Sequence, residues 1–245
     1  MEAIRALEEL GDVEAVEPLS RMMNSESWLI RNAAMGALKT ISENDGLMVE
    51  SINNTKGQQK IFYPDGTLKY EGGILNGKEH GEGKFYHSNG LLNYEGELKQ
   101  GKPHGEGKVY RSNGLLKYEG ELKQGEPHGD GKIYNKNGDL YYEGDLKNSK
   151  KDGIGMLYGE DGNIIYTGDW KNDERNGKGE EFYADGRLKV KGEFKDNKVD
   201  GHAEYYENGI LRYKGDWLRG KMHGYGISYD KNGKYLGKFE WIHGE

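Results

Sequence analysis

The sequence contains no cysteine, which excludes disulfide bonds, thiolate zinc sites and thiol nucleophiles. It also lacks any apolar run of about 18 residues, the length that a membrane-spanning helix needs. Its first residues do not combine a basic segment with an apolar stretch, as a secretory signal would. These absences lead us to expect a soluble, cytoplasmic protein.

Aliphatic residues are scarce as well. Only 33% of the residues are hydrophobic, which is too few for a thick globular core. The 18 tyrosines, 5 phenylalanines and 4 tryptophans nevertheless exceed what a disordered chain carries. The 40 glycines are also far above the share of an ordinary protein. Because rings cover a large area per residue and glycines permit tight turns, this composition predicts thin β architecture.

Basic surplus is missing too. Residues 1–57 carry ten acidic and five basic side chains, and the remainder carries 32 and 30. A near-neutral array with interleaved charges lacks the basic stripe that nucleic acid or anionic lipid requires. We therefore expect no nucleic-acid partner, and we disfavour a membrane-lipid partner.

Residues 1–45 show the apolar periodicity of helices, with an internal period of 31 residues. Their segments 10–12, 14–19 and 30–34 resemble the short HEAT repeats of the phycobilisome-lyase type. About one and a half such repeats are present, whereas solenoids need about three units to bury their faces. We expect this piece to belong to a longer protein or to cap its neighbour, and residues 46–59 to form a polar linker.

From about residue 60 the period changes completely. Stretches of the form aromatic-x-Gly-x-apolar recur at spacings of 24, 24, 24, 24, 24, 23 and 22 residues. Each is followed in mid-unit by His, Asp or Asn and then Gly-x-Gly, with Ala203 replacing the second glycine once, and later by Asn-Gly or Asp-Gly. The stretches open at Tyr70, Tyr94, Tyr118, Tyr142, Tyr166, Val190, Tyr213 and Tyr235.

This repeat predicts a pair of strands. Each Asn-Gly or Asp-Gly favours a type I′ turn, which needs positive φ at both central residues, and a second turn falls near 77–81. Apolar and polar residues alternate over 92–98, as on a strand with one apolar face. Glycines inside the strands are expected to leave room for the ring of a neighbouring strand. The predicted fold is mainly β: an elongated open antiparallel meander of tandem hairpins over 60–245, whose open end strand could allow self-association.

The repeat resembles the MORN family, whose motif reads Tyr-x-Gly-x-Trp-x-x-Gly, then Gly-x-Gly and Asp-Gly. The tryptophan of that motif is present only at Trp170 and Trp217, and the unit length is similar to that of the bacterial variant. The resemblance covers residues 60–245. It implies an interaction platform, for which phospholipid binding is a second role ascribed to the family.

One repeat position carries a row of histidines that could suggest a metal site. Equivalent positions of successive hairpins lie two strands apart, about 9–10 Å, whereas zinc–nitrogen bonds are about 2 Å long, so neighbours cannot share one ion. We predict a turn role for this position instead. It holds His80, His104, His128 and His223, and also Asp152, Asn176 and Asp200.

The remaining motifs do not predict catalysis. Paired acids such as Glu95 and Glu97 recur unchanged among lysines, which indicates a solvated sheet face rather than a glycosidase pair. The Gly-x-Gly pieces do not open a helix, as a dinucleotide site would require, and no Gly-x-Ser-x-Gly elbow is present. We expect a protein that is not an enzyme and has no catalytic, cofactor or metal site.

The aromatic rows are the best candidates for binding, although they could equally serve to pack neighbouring hairpins. A ring row on one sheet face would suit an extended or helical peptide. We therefore predict a non-catalytic repeat scaffold for an unidentified protein partner. The alternatives are a peripheral phospholipid-binding module and a regulatory fragment of a larger protein. The candidate residues are Tyr86, Tyr110, Tyr134, Tyr158, Phe182, Tyr94, Tyr118 and Tyr142.

Overall fold

The computed structural model describes residues 57–242 and six separate positions in the amino-terminal segment. All six of these positions are helical. The other residues of the predicted helical segment 1–45, and residues 46–56 of the predicted linker, lie outside the described residues, so both segments stay predictions. The six positions are Leu19, Met22, Ile30, Ala33, Ala34 and Ala37.

The chain divides into two compact units, residues 1–114 and 115–245. The strands of the first unit are β1 (Gly57–Phe62), β2 (Leu68–Leu75), β3 (Lys78–Tyr86), β4 (Leu92–Lys99) and β5 (Lys102–Tyr110). Each pairs antiparallel with the next strand along the chain. Strand β1 takes in the last three residues of the predicted linker.

The second unit repeats this arrangement with eleven strands. They are β6 (Leu116–Lys123), β7 (Glu126–Tyr134), β8 (Leu140–Lys147), β9 (Lys150–Tyr158), β10 (Ile164–Lys171), β11 (Glu174–Phe182), β12 (Leu188–Lys195), β13 (Lys198–Glu207), β14 (Ile210–Leu218), β15 (Lys221–Tyr229) and β16 (Tyr235–Trp241). Consecutive strands again pair antiparallel. The predicted meander of hairpins is therefore confirmed.

The Asn-Gly and Asp-Gly turns differ from the type I′ turns that we predicted. Only Asn208–Gly209 has positive φ at both residues; in the other seven dipeptides only the glycine does, as at Gly66 with φ of 88°. The Gly66 N–H donates to the Tyr63 carbonyl at 2.9 Å, as in a type I turn followed by a glycine bulge. The Asp65 carboxylate accepts the Thr67 N–H at 2.9 Å, so the acidic residue is selected for its acceptor rather than for its backbone angle.

Turns with two positive φ values occur at the opposite ends of the strands, where the second turn was predicted. There only two residues separate a facing pair such as Leu75 and Lys78, and a loop this short matches the strand twist when both φ values are positive. These loops are Asn76–Gly77, Gln100–Gly101, Gln124–Gly125, Asn148–Ser149, Asn172–Asp173, Asp196–Asn197 and Arg219–Gly220.

The core is built from tyrosines that lie across facing glycines. Gly144 of β8 faces Gly155 of β9, and a Cβ on Gly155 would overlap the Tyr142 hydroxyl. Tyr142 is 0% exposed, and its hydroxyl donates to the Asp145 carbonyl at 2.9 Å. The expectation that strand glycines make room for a neighbouring ring is thus confirmed. Tyr70, Tyr94, Tyr118, Tyr166 and Tyr213 make the same contact with Gly83, Gly107, Gly131, Gly179 and Gly226.

One repeat changes both members of this contact together. Val190 stands where the other repeats have tyrosine, and Ala203, which faces Gly192, stands where they have glycine. Both side chains are buried, at 4% and 1% exposure. A methyl group fits at position 203 because no phenol ring covers it. The two exceptions in the repeat pattern are therefore one compensated change.

A second layer of apolar side chains covers the tyrosines. Trp170 stands edge-on to Tyr142 and Tyr166, with ring centroids 5.7 and 5.1 Å away, and its indole N–H donates to the Gly155 carbonyl at 3.1 Å. Such edge-on pairs contribute about 0.5–1.5 kcal/mol beyond the area they bury. The equivalent buried residues in other repeats are Ile74, Leu98, Leu122, Leu146 and Phe194.

The last repeat has another register than the one we predicted from the stretch 235–239. Gly226 of β15 faces Phe239, not a glycine, and it is Trp241 whose ring packs perpendicular to Tyr213 at 5.9 Å. The pairing is therefore shifted by two residues, since this shift brings the larger indole ring onto the tyrosine. Among the described residues β16 pairs with β15 alone, and self-association through its edge stays a prediction.

Candidate functional site

Side chains that alternate with the buried tyrosines point to the other face of each sheet, which we call the ladder face. In the first unit one column of facing residues on it alternates in charge. The closest ion pair there joins Lys84 Nζ and a Glu95 carboxylate oxygen at 3.3 Å, with half and a third of the two side chains exposed. The column consists of Lys60, Glu71, Lys84, Glu95 and Lys108.

The second unit carries the same kind of column. Lys191 and Lys214 form ion pairs of 2.9 Å with Glu180 and Glu204. Such exposed pairs contribute about 1 kcal/mol or less, so they define a surface more than they hold the fold. The facing residues, in order, are Glu119, Lys132, Glu143, Met156, Thr167, Glu180, Lys191, Glu204 and Lys214.

A row of half-buried rings borders this column on the ladder face. The Tyr110 hydroxyl donates to a Glu95 carboxylate oxygen at 2.7 Å, and this bond lowers the pKa of Glu95 from its ordinary value. The Tyr158 hydroxyl reaches Glu143 in the same way at 3.2 Å. By strand alternation the structure places five of the predicted site residues in this row: Tyr86, Tyr110, Tyr134, Tyr158 and Phe182.

The other predicted row does not offer a surface to a partner. Tyr94, Tyr118 and Tyr142 are 2%, 2% and 0% exposed, because each ring lies across glycines and is covered by the next repeat. Burial raises the pKa of the equivalent phenols of Tyr70 and Tyr166 to about 12. The partner-binding role predicted for these three residues is wrong, and they are core residues.

The histidine position lies inside strands and not in turns, contrary to our prediction. Gly72 faces Gly83 while Ile74 faces Glu79, so three residues of β3 stand opposite one residue of β2. This bulge starts at His80, and the next residue has φ of 72°; a bulge of this kind uses a positive-φ glycine. Within residues 57–242 no three His, Asp or Glu side chains are grouped closely enough to hold a metal ion.

The sequence analysis missed an interruption of the ladder face. Ile154, Met156 and Thr167 stand where the previous repeat has Asp130, Lys132 and Glu143, and Ile154 is 66% exposed. The three uncharged residues were visible as departures from the repeat. Only the strand register shows that they adjoin on one face.

No helix in the described part of the chain combines the length and the apolar character needed to cross a membrane. The MORN repeat family model matches residues 70–91, 94–115, 118–140, 142–164, 166–186, 191–210 and 213–235. A MORN repeat variant model matches residues 56–74. No curated protein matches the chain. The matched residues make up more than half of the chain, whereas the resemblance of residues 1–45 to HEAT repeats stays a prediction.

Proposed function

We propose a function for this chain, which belongs to the MORN repeat family: it is a non-catalytic scaffold that binds a protein partner along the ladder face. MORN repeats are in general modules for interaction with proteins or membranes. The observation that supports the choice of face is the division of labour between the two sheet faces. One face is filled by tyrosines packed on glycines, and the other presents half-buried rings beside alternating charges.

The spacing of these rings suits an elongated partner. Equivalent side chains of successive hairpins are two strands apart, about 9–10 Å. Each ring offers an apolar edge and, at Tyr110 and Tyr158, a hydroxyl already held by a carboxylate. Tyrosine is enriched in protein interfaces for this combination. An extended or helical segment can therefore contact several repeats at once, and several weak contacts add up to useful affinity.

A membrane partner has less support from the same surface. Binding to anionic headgroups runs through a local surplus of lysine and arginine. On the ladder face each lysine of the alternating column stands beside a glutamate, as Lys132 does beside Glu143. In the second unit Asp130 faces Asp145 directly, which would repel an anionic surface.

The test is partner capture with a variant that changes only the ladder face. We expect the triple variant Tyr134→Ser, Tyr158→Ser and Phe182→Ser to lose most of a discrete set of proteins that the unchanged chain retains from its cognate lysate. The three rings stand at one repeat position, so a partner that spans several hairpins loses three contacts together. Quantitative mass spectrometry of the captured proteins measures the loss.

A matched control replaces Lys136, Glu160 and Ala184 by serine, because these exposed turn residues have the same 24-residue spacing. This control should retain the partners. Equal loss in both triple variants, or capture of no specific protein, contradicts the proposal. Co-sedimentation of the chain with phosphatidylserine vesicles at low salt, abolished by high salt, would favour the membrane alternative.

A further inference from the structure

The charge alternation of the ladder face is broken at one place in the second unit. Met156 of β9 faces Glu143 on one side and Thr167 of β10 on the other. Thr167 in turn faces Glu180, where the alternation with lysine resumes. Two neighbouring strands therefore carry no charge in a column that is otherwise charged from Glu119 to Lys214.

Ile154 widens this uncharged strip. It lies two residues before Met156 on the same face and is 66% exposed. Single exposed apolar residues are common on protein surfaces, but contiguous ones mark interaction sites. Ile154, Met156 and Thr167 together form a contiguous strip, which we call the ladder gap.

The charges next to the ladder gap are acidic. Ile154 faces Asp169, and its N–H donates to a carboxylate oxygen of Asp145 at 2.7 Å. Asp145 faces Asp130 directly, and like charges in facing positions destabilise a sheet. None of these three aspartates forms an ion pair within the described part of the chain. The ladder gap is thus an apolar strip beside carboxylates that a basic partner would neutralise.

We propose that the ladder gap binds a segment of a partner protein in which an apolar side chain is flanked by lysine or arginine. This rests on the proposed function, because it assigns the partner's chemistry at one place on the ladder face. The apolar side chain covers Ile154 and Met156, and the basic side chains pair with Asp130 and Asp145. An open depression of about 390 Å³ begins at Thr167 and leaves room for the segment to continue.

The test uses the full chain and three short fluorescein-labelled peptides. One has two leucines flanked by lysines, one has glutamates in place of the lysines, and one has serines in place of the leucines. Fluorescence anisotropy should show that the lysine–leucine peptide binds at least about tenfold more tightly than the other two. In the variant Ile154→Glu it should lose at least about tenfold in affinity, as expected when an apolar side chain can no longer be buried.

Two further variants locate the site. Leu91→Glu places the same side chain at another exposed apolar position, since Leu91 is 43% exposed, and it should bind the peptide as the unchanged chain does. Asp130→Ser removes a carboxylate for which no hydrogen bond or ion pair is required by the fold, and it should weaken binding of the lysine–leucine peptide alone.

Two results overturn the proposal: no preference among the three peptides, or equal losses in Ile154→Glu and Leu91→Glu. Failure of the scaffold function is a separate result. If the peptides show no preference while the triple ladder-face variant still loses its captured proteins, the partner chemistry is wrong and the scaffold stands. If capture is also insensitive to the triple variant, the scaffold function itself fails.

Discussion

Replacing Gly155 by alanine is expected to destabilise the second unit by about 1–3 kcal/mol, the usual cost of overpacking a filled core. The new methyl group would overlap the Tyr142 hydroxyl, and that ring is 0% exposed and has no free space to move into. The backbone does not contribute to the cost, because Gly155 is not among the glycines with positive φ. The urea midpoint measures the effect.

The same loss should be largely recovered by a second change, Tyr142→Val. The double variant, Tyr142→Val with Gly155→Ala, would reproduce the buried pair that Val190 and Ala203 already form. Tyr142→Val alone should be destabilising, since it leaves the space above the glycine empty. The double variant is therefore expected to be more stable than the sum of the two single changes predicts.

The natural exception offers the reverse experiment as a control. Val190→Tyr should be destabilising alone, because its ring would meet the methyl group of Ala203, and Ala203→Gly should relieve most of that loss. If both pairs of changes are simply additive, the contact between ring and glycine is not what holds the repeat.

Deleting residues 142–165, one unit of 24 residues, is expected to leave a folded and cooperative protein. Tyr166 would then follow Tyr141, and Gly168 would face Gly131 in place of Gly144. The new neighbours would have the same glycine pair and the same buried ring. In repeat arrays stability is close to a sum over units and their junctions, so the urea midpoint should fall only slightly.

Deleting half of this unit, residues 142–153, is expected to have a far larger effect. The buried ring of Tyr142 is removed, and Met156 is brought opposite Gly131 in place of a glycine. Strand polarity is also reversed for every later strand, which breaks the alternation of the two strand types. Loss of cooperative unfolding in circular dichroism is the expected result. Equal behaviour of the two deletion variants would contradict the repeat unit described here.

The period of 24 residues was sufficient to predict the strands and the hairpin order. It did not predict the turn type, because Asn-Gly and Asp-Gly serve two different backbones. A type I′ turn uses the positive φ of both residues, whereas the turn at Asp65 uses the side chain as an acceptor for Thr67. The loop from Tyr63 to Thr67 is long enough for the second solution.

Which aromatic row is exposed could not be read from the sequence. Tyr94 and Tyr110 both alternate with polar residues, and a change of register by one residue exchanges the two faces. The register is set by the pairing of Phe85 with Tyr94, which buries that tyrosine and turns the next ring of β3 outward. The last repeat was misaligned for a related reason, because Phe239 and Trp241 compete for one position and only packing on Tyr213 decides between them.

The most direct test of the two-faced array is nitration of tyrosines in the full chain, alone and with its captured partner. Peptide mass spectrometry should find Tyr110, Tyr134 and Tyr158 modified in the free chain and protected in the complex. Tyr94 and Tyr142 should stay unmodified in both, because burial raises their pKa and excludes the reagent. Modification of the core tyrosines to the same extent, or protection confined to turn residues such as Tyr63, would contradict the account.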